Sequence, residues 1–187
     1  MFFANNMYSL FLLGREDAVA LARLEATCFT LPWSFEQYEK ILPAKRRLLI
    51  GAFEKKPEEK WIIPFQREFT GLTPVFGLLS PEHELLAFVS MGLYYGAAEL
   101  EVYNIAVLPE RRRQKLARFL LGVLLEAAAL HGFEKALLEV RQGNISAIAL
   151  YASLGFKTVG HRKGYYTDND EDAWVLACSL DRINPET

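Results

Sequence analysis

Apolar positions along this chain change their period several times, and each change marks an element. Met7 to Leu13 is aromatic and apolar without helical periodicity, which predicts a strand. From Arg15 to Phe29, Ala18, Leu21, Ala22, Leu24, Ala26 and Phe29 mainly supply the apolar side of a helix, which Pro32 stops. Ser34 with Gln37 three residues later is a capping-box pattern, so a short helix should span about Phe35 to Ile41. The pattern is irregular from Pro43 to Pro74: Arg47 to Phe53 could form a strand, Glu54 to Lys60 is charged, and Trp61 to Phe65 is apolar. Structureless loops of this length are uncommon in compact domains, so about 44–73 reads as an insert with structure of its own.

Regularity returns at Val75. Val75 to Leu79 and Leu85 to Leu93, separated by turn residues Ser80 to His83, predict a hairpin, and Leu100 to Val107 a further strand ended by Pro109. The clearest helix is Gln114 to Leu130, where Leu116, Leu120, Val123, Leu124 and Ala127 make one apolar stripe that His131-Gly132 closes. Ala136 to Val140 is a short strand, and Asn144 caps a helix running to Leu154, with Gly155 placed as its C′ glycine. Thr158 to Tyr165 and Ala173 to Leu180 predict two closing strands around the turn Asp168 to Glu171. The fold class expected is α/β (α+β): a mixed sheet of about seven strands with flanking helices, in one domain over residues 1–187. The unit 100–107, 114–130, 136–140 should be β-α-β, with parallel strands and a right-handed crossover.

Composition narrows the function classes. The chain has 187 residues, 51% hydrophobic and 24% charged, enough to bury a core without a disulfide or metal. A net charge of -2 and pI near 6.0 argue against a general nucleic-acid binder. No stretch approaches the roughly 18 apolar residues of a membrane span, and the N-terminus lacks a basic n-region, so a cytoplasmic protein is expected. Cys28 and Cys178 lie in apolar stretches and read as buried free thiols. His83, His131 and His161 share no metal-ligand spacing, so no metal is expected, and no Gly-x-Ser-x-Gly or Gly-x-Gly-x-x-Gly motif occurs.

Candidate chemistry begins at the turn Glu110-Arg111-Arg112-Arg113-Gln114-Lys115-Leu116-Ala117. Backbone N–H groups at a helix start, with guanidinium and ammonium groups around them, suit a phosphate-bearing ligand, although a solvated basic turn would look the same. Glu139 ends an otherwise apolar strand, where a carboxylate is unusual. Tyr151, on pattern alone, could simply fill core.

The stretch Asn104-Ile105-Ala106-Val107-Leu108-Pro109, the basic turn, Glu139-Val140-Arg141-Gln142-Gly143-Asn144 and Ala147 to Phe156 together resemble GNAT-superfamily acetyltransferases. The resemblance is closest to the RimI-type ribosomal-protein-alanine N-acetyltransferases, which Leu31-Pro32-Trp33-Ser34 and Tyr165-Tyr166 before Glu171-Asp172-Ala173 also fit. It is dense from about Leu100 to Leu180, thinner from Leu10 to Leu42 and absent across the insert. The resemblance implies acetyl-CoA as donor, its pantetheine arm pairing with the backbone of Ile105, Ala106 and Val107 between two splayed parallel strands. Arg113, Gln114, Lys115, Leu116, Ala117 and Arg118 would wrap its pyrophosphate, and Asn144 would bond the pantetheine chain. Glu139 would be the general base, with Glu101 on the neighbouring strand as its rival, and Tyr151 the general acid. Trp33, Tyr165 and Tyr166 would border the acceptor.

Two departures stand out. Lys115 replaces the first glycine of the family's turn; placed in the first turn of a helix it is expected at negative φ. The insert precedes the hairpin on the acceptor side and is expected to cover or narrow the acceptor groove, a dimer contact being equally open. The function expected is direct acetyl transfer to an amine, first a protein N-terminal α-amine, with neither cysteine in the site. A small-molecule amine acceptor, or a non-catalytic acyl-CoA-binding protein, is the alternative; no nucleic acid or membrane partner is expected.

Overall fold

The computed structural model describes residues 8–42, 47–54 and 84–181. The elements are β1 (Tyr8–Leu12), α1 (Ala18–Cys28), α2 (Phe35–Ile41), β2 (Arg47–Glu54), β3 (Ala87–Tyr94), β4 (Glu99–Val107), α3 (Leu116–Leu130), β5 (Lys135–Arg141), α4 (Ile145–Ala152), β6 (Lys157–Tyr166) and β7 (Glu171–Ser179). Hydrogen bonding orders the seven strands β1-β2-β3-β4-β5-β7-β6 in one sheet, with helices flanking it, as the alternation of periods predicts.

Local sequence explains the element ends. Ser34 Oγ accepts the Gln37 N–H while Gln37 Oε1 accepts the Ser34 N–H, the capping box read from the sequence. Asn144 Oδ1 accepts the Ala147 N–H at the start of α4. Gly132 and Gly155 take φ of +80° and +89°, values open to glycine without a Cβ clash. The helix expected from Arg15 begins instead as a single 3₁₀ turn over Arg15–Asp17, where the Asp17 carboxylate accepts the Gly14 N–H. In α3, Leu116, Leu120 and Leu124 are at most 2% exposed, and each contributes on the order of 1.5–3 kcal/mol by burial.

The chain divides into two compact units, residues 1–91 with 104–123 and residues 92–103 with 124–187; β3, β4 and α3 each pass from one to the other. In the first, β1 pairs antiparallel with β2, from Tyr8 opposite Glu54 to Leu12 opposite Ile50. In the second, β4 and β5 are parallel from Glu99–Lys135 to Val102–Leu138, as the β-α-β reading requires. β5 also pairs antiparallel with β7 along its whole length.

Within the expected insert, Arg47–Glu54 forms β2. The rest of it, with Trp61, Phe65 and Phe69, and the predicted strand Val75 to Leu79 lie outside the described residues.

Candidate active site

In the first unit, β4 leads through Leu108 and a 3₁₀ turn at Pro109–Arg111 into the basic segment ahead of α3. Its backbone departs from expectation. Lys115 has φ +61° and Arg113 φ +63°, so both non-glycine residues adopt left-handed conformations. The negative φ expected for Lys115 assumed a place inside the helix. It is instead the cap: α3 starts at Leu116, and the Lys115 carbonyl accepts the Phe119 N–H at 2.9 Å. Lysine thus holds the conformation that glycine would adopt at lower cost.

Side chains around this segment divide into two groups. Arg111 pairs with Glu54 at 3.3 Å, and Gln114 Nε2 donates to the Glu110 carbonyl at 3.2 Å. Arg113, Lys115 and Arg118 are exposed beside the start of α3. Alternating left-handed residues, a helix N-terminus and exposed cations fit a polyphosphate group such as that of CoA. Leu116 is an exception among the expected wrapping residues, because its side chain is in the core and only its N–H can serve.

The carbonyl of Val107 is already engaged. Arg112 Nε donates to it at 3.2 Å and the Cys28 thiol at 3.3 Å, so both lone pairs have partners and Val107 offers a ligand only its N–H. This corrects two expectations. Cys28 is half-buried, unlike Cys178, and it touches one of the expected cofactor-binding residues. Burial pushes the Cys28 thiol up, with Arg112 opposing, which keeps it a thiol that donates rather than a reactive thiolate.

A cluster that sequence reasoning missed centres on Glu25 in α1. Its side chain accepts from the Tyr38 hydroxyl (2.7 Å) and Asn104 Nδ2 (2.9 Å) on Oε1, and from the Trp33 backbone N–H (3.2 Å) on Oε2. Trp33 also packs its ring 5.8 Å from that of Tyr38. The signal was present in the sequence: Glu25 falls four residues after Leu21, on the buried side of the helix.

The second unit contains a cavity of about 260 Å³ lined by Tyr94, Ala97, Glu99, Glu101, Leu137, Leu138, Glu139, Arg162 and Val175. The two candidate bases, Glu101 and Glu139, therefore share one wall-lined space. Glu139 is held at one oxygen by Arg162 (2.8 Å) and at the other by the Tyr165 hydroxyl (3.3 Å). Glu101 accepts from the Tyr94 hydroxyl at 3.1 Å, which lies 2.7 Å from that of Tyr103. Gly92 makes room for this chain, since a Cβ there would collide with the Tyr103 hydroxyl. Glu99 is paired with Lys135 at 3.1 Å.

Other expected residues take clear places. Tyr151 is 6% exposed with its ring 5.8 Å from that of Phe156. Burial, then the neighbouring Tyr166, pushes its phenol far up, so it stays protonated at any physiological pH. Asn144 commits its carbonyl oxygen to the α4 cap and the Ser146 hydroxyl, so its amide NH₂ is the end that can donate to a ligand. Tyr165 and Tyr166 meet edge to face at 5.1 Å. Arg141 lies 3.9 Å from the Tyr166 ring centre and anchors the β6–β7 turn through Asp168 (2.8 Å), Asn169 (3.0 Å) and Glu171 (3.1 Å). The structure thus brings Tyr165 to Glu139, while Tyr151 and Asn144 lie on α4 and Trp33 belongs to the Glu25 cluster. Among the described residues no group of three or more His, Cys, Asp or Glu could hold a metal, and no helix is long and apolar enough to cross a membrane.

Residues 19–156 match the acetyltransferase (GNAT) family. The chain belongs to that family. A ribosomal protein bS18-alanine N-acetyltransferase of Escherichia coli is 46% identical over 84 residues, 44% of this chain and 57% of the relative. An N-alpha-acetyltransferase of Saccharolobus solfataricus is 46% identical over 80 residues, 42% of this chain and 47% of the relative. The chain therefore spans about half the length of the curated relatives it matches. By structure, a crystal structure of the Escherichia coli ribosomal-protein-alanine N-acetyltransferase superposes with TM-score 0.72 at 27% identity, covering 97% of this chain and 99% of that one. A spermidine/spermine N-acetyltransferase of Vibrio cholerae, at 19% identity and TM-score 0.68 over 94% of each chain, shares the fold. GNAT membership also bears out the α/β fold expected from the sequence.

Proposed function

We propose that this protein transfers acetyl from acetyl-CoA to the α-amine of a protein N-terminus, in the first instance one beginning with alanine. The observation that carries the reading is the cavity on which Glu101 and Glu139 both open, in a chain of the GNAT family. The activity of the bS18-alanine N-acetyltransferase relatives directs the choice of acceptor.

The first unit supplies the grip on the donor: backbone groups of Ile105 to Val107 for the pantetheine arm, and the segment Arg113 to Arg118 for the pyrophosphate. Taken by itself, the second unit offers the Asn144 amide as a donor to a pantetheine chain. Trp33 in the first unit, and separately Tyr165 and Tyr166 in the second, are the candidate acceptor contacts. A free α-amine has an ordinary pKa of about 7.7–8, so a carboxylate need remove only one proton near neutrality, and Glu139 does so. The amine nitrogen forms a bond to the thioester carbonyl carbon, the C–S bond breaks, and the departing thiolate takes the Tyr151 hydroxyl proton; the second amine proton, shed as the amide forms, reprotonates Tyr151, and the first leaves Glu139 to solvent. The products are the acetamide and CoA.

A small cationic amine is a second acceptor class, favoured by three glutamates among the residues that line the cavity. The test is a panel of N-terminal peptides and free polyamines, followed by CoA release and by mass of the product. Acetylated alanine-initiated peptides are expected; acetylation of polyamines alone would replace the acceptor, and acetyl-CoA binding without any product would leave a binding protein.

A further inference from the structure

We propose that Glu25 is a positioning residue that ties the acceptor-side loop at Trp33 to strand β4; this rests on the assignment of Trp33 to the acceptor. The carboxylate is 1% exposed, and all three of its described donors are neutral. Those donors come from three separate pieces of the first unit. Trp33 lies in the loop between α1 and α2, Tyr38 in α2, and Asn104 immediately before Ile105 in β4. One side chain therefore fixes a loop backbone to the strand that the pantetheine arm is expected to follow.

The loop itself does not look like a packing element. Phe29 and Leu31 are 37% and 66% exposed, and Phe35 at the start of α2 is 37% exposed. A segment that keeps its apolar side chains outward while its backbone N–H is fixed from below is suited to meeting a ligand in a set geometry. Burying a carboxylate is costly unless donors satisfy it, and here the donors are aimed from α2, the loop and β4 rather than from one neighbouring turn. A hydrophobic residue at position 25 would pack α1 and leave the loop's N–H without that acceptor.

Glu25→Gln is the incisive variant because it preserves shape. With its oxygen kept on Tyr38 and Asn104, its NH₂ meets the Trp33 N–H, donor against donor. Tyr38→Phe removes one donor from the other oxygen and leaves the Trp33 bond. The readouts are acceptor KM, acetyl-CoA KM and backbone amide exchange at Trp33. For Glu25→Gln the expected result is a roughly tenfold rise in acceptor KM, acetyl-CoA KM within twofold, and faster Trp33 exchange. Tyr38→Phe should keep acceptor KM within twofold. Should Glu25→Gln not fold, Asn104→Ala cuts the tie to β4 and should raise acceptor KM in the same direction. An unchanged acceptor KM and Trp33 exchange in Glu25→Gln, or an equal rise in Tyr38→Phe, overturns the proposal. A wild-type protein that acetylates no amine would instead defeat the functional reading, and the exchange measurement would still report the loop.

Discussion

Glu25 and Glu139 are both glutamates bonded to tyrosine hydroxyls, yet they sit in opposite physical situations. Glu25 is sealed in the first unit, with three neutral donors at 2.7–3.2 Å. Glu139 faces a cavity in the second unit, with 17% of its side chain exposed and an ion pair to Arg162, which is itself 55% exposed. A buried carboxylate that gathers donors from separate segments cannot release them without loosening the contacts between those segments, so it holds structure. A carboxylate whose partner is an exposed guanidinium can exchange that partner for an incoming ammonium at modest cost, because solvent takes up the displaced cation. The same functional group is thus a fixed joint in one unit and a replaceable contact in the other.

The sharpest way to break this contrast is Glu139→Gln. It should lower kcat by about 10²- to 10⁴-fold, the usual cost of losing a general base, with acetyl-CoA affinity and Tm near wild type. Steady-state kinetics beside calorimetry check it. If Glu101→Gln is the inactive variant and Glu139→Gln is near wild type, the base is Glu101, served by Tyr94 and Tyr103.

Glu25→Ala should show the inverse profile. One buried donor, Tyr38, and two part-buried ones, the Trp33 N–H and Asn104, lose this acceptor, so a loss of about 1–3 kcal/mol in denaturant unfolding is expected. A loss below about 1 kcal/mol would mean water reaches the cluster and the sealed description is wrong.

Tyr151 tests whether the second unit has a sealed group of its own. Its folded pKa lies above the ordinary tyrosine value near 10, with burial as the main cause. Above pH about 10 the unfolded chain releases this proton while the folded chain keeps it. The folded state then binds more protons, so stability present below pH 10 falls as pH rises, by at most about 1.4 kcal/mol per unit. Tyr151→Phe should remove that slope in urea titrations between pH 9 and 11. It should also lower kcat at neutral pH if the hydroxyl serves the leaving thiolate; an unchanged rate leaves Tyr151 as packing beside Phe156.

Most of the frame could be read from the chain. Period and caps placed α2, α3, α4 and β5 within a few residues, because Ser34, Asn144 and Gly155 act through their own neighbours. The parallel β4–β5 pair followed from a crossover rule that needs only element order. Long-range partnerships were not legible. Glu25 meets Asn104 across 79 positions, and Arg162 meets Glu139 through a strand register that no local pattern encodes. Cys28 was misread for the same reason: an apolar neighbourhood in sequence does not reveal that its thiol reaches Val107. At the basic segment the negative φ expected of Lys115 was wrong, because it lies one residue outside the helix it was assigned to.

Lys115 gives the smallest effect and the finest test of the first unit as a fixed frame. With φ at +61° a lysine carries the left-handed cost, roughly 1–2 kcal/mol for an L residue, which glycine escapes. Glycine in turn costs about 0.5–1 kcal/mol of additional chain entropy on folding. The first term is larger, and glycine is also a favoured N-cap residue, so Lys115→Gly should stabilise by about 0.5–1 kcal/mol. For a chain of this size that is a rise of roughly 1 to 4 °C in Tm. Lys115→Ala keeps the strain and loses the ammonium, so it should not stabilise, and it should weaken acetyl-CoA binding by about three- to tenfold with a smaller salt dependence. Lys115→Gly should weaken binding less, since it retains the backbone shape that presents the N–H groups. If both variants bind acetyl-CoA more tightly than wild type, the lysine obstructs the phosphates. If glycine and alanine give the same Tm, the segment relaxes to negative φ in solution, and the left-handed cap is not what shapes the anion site.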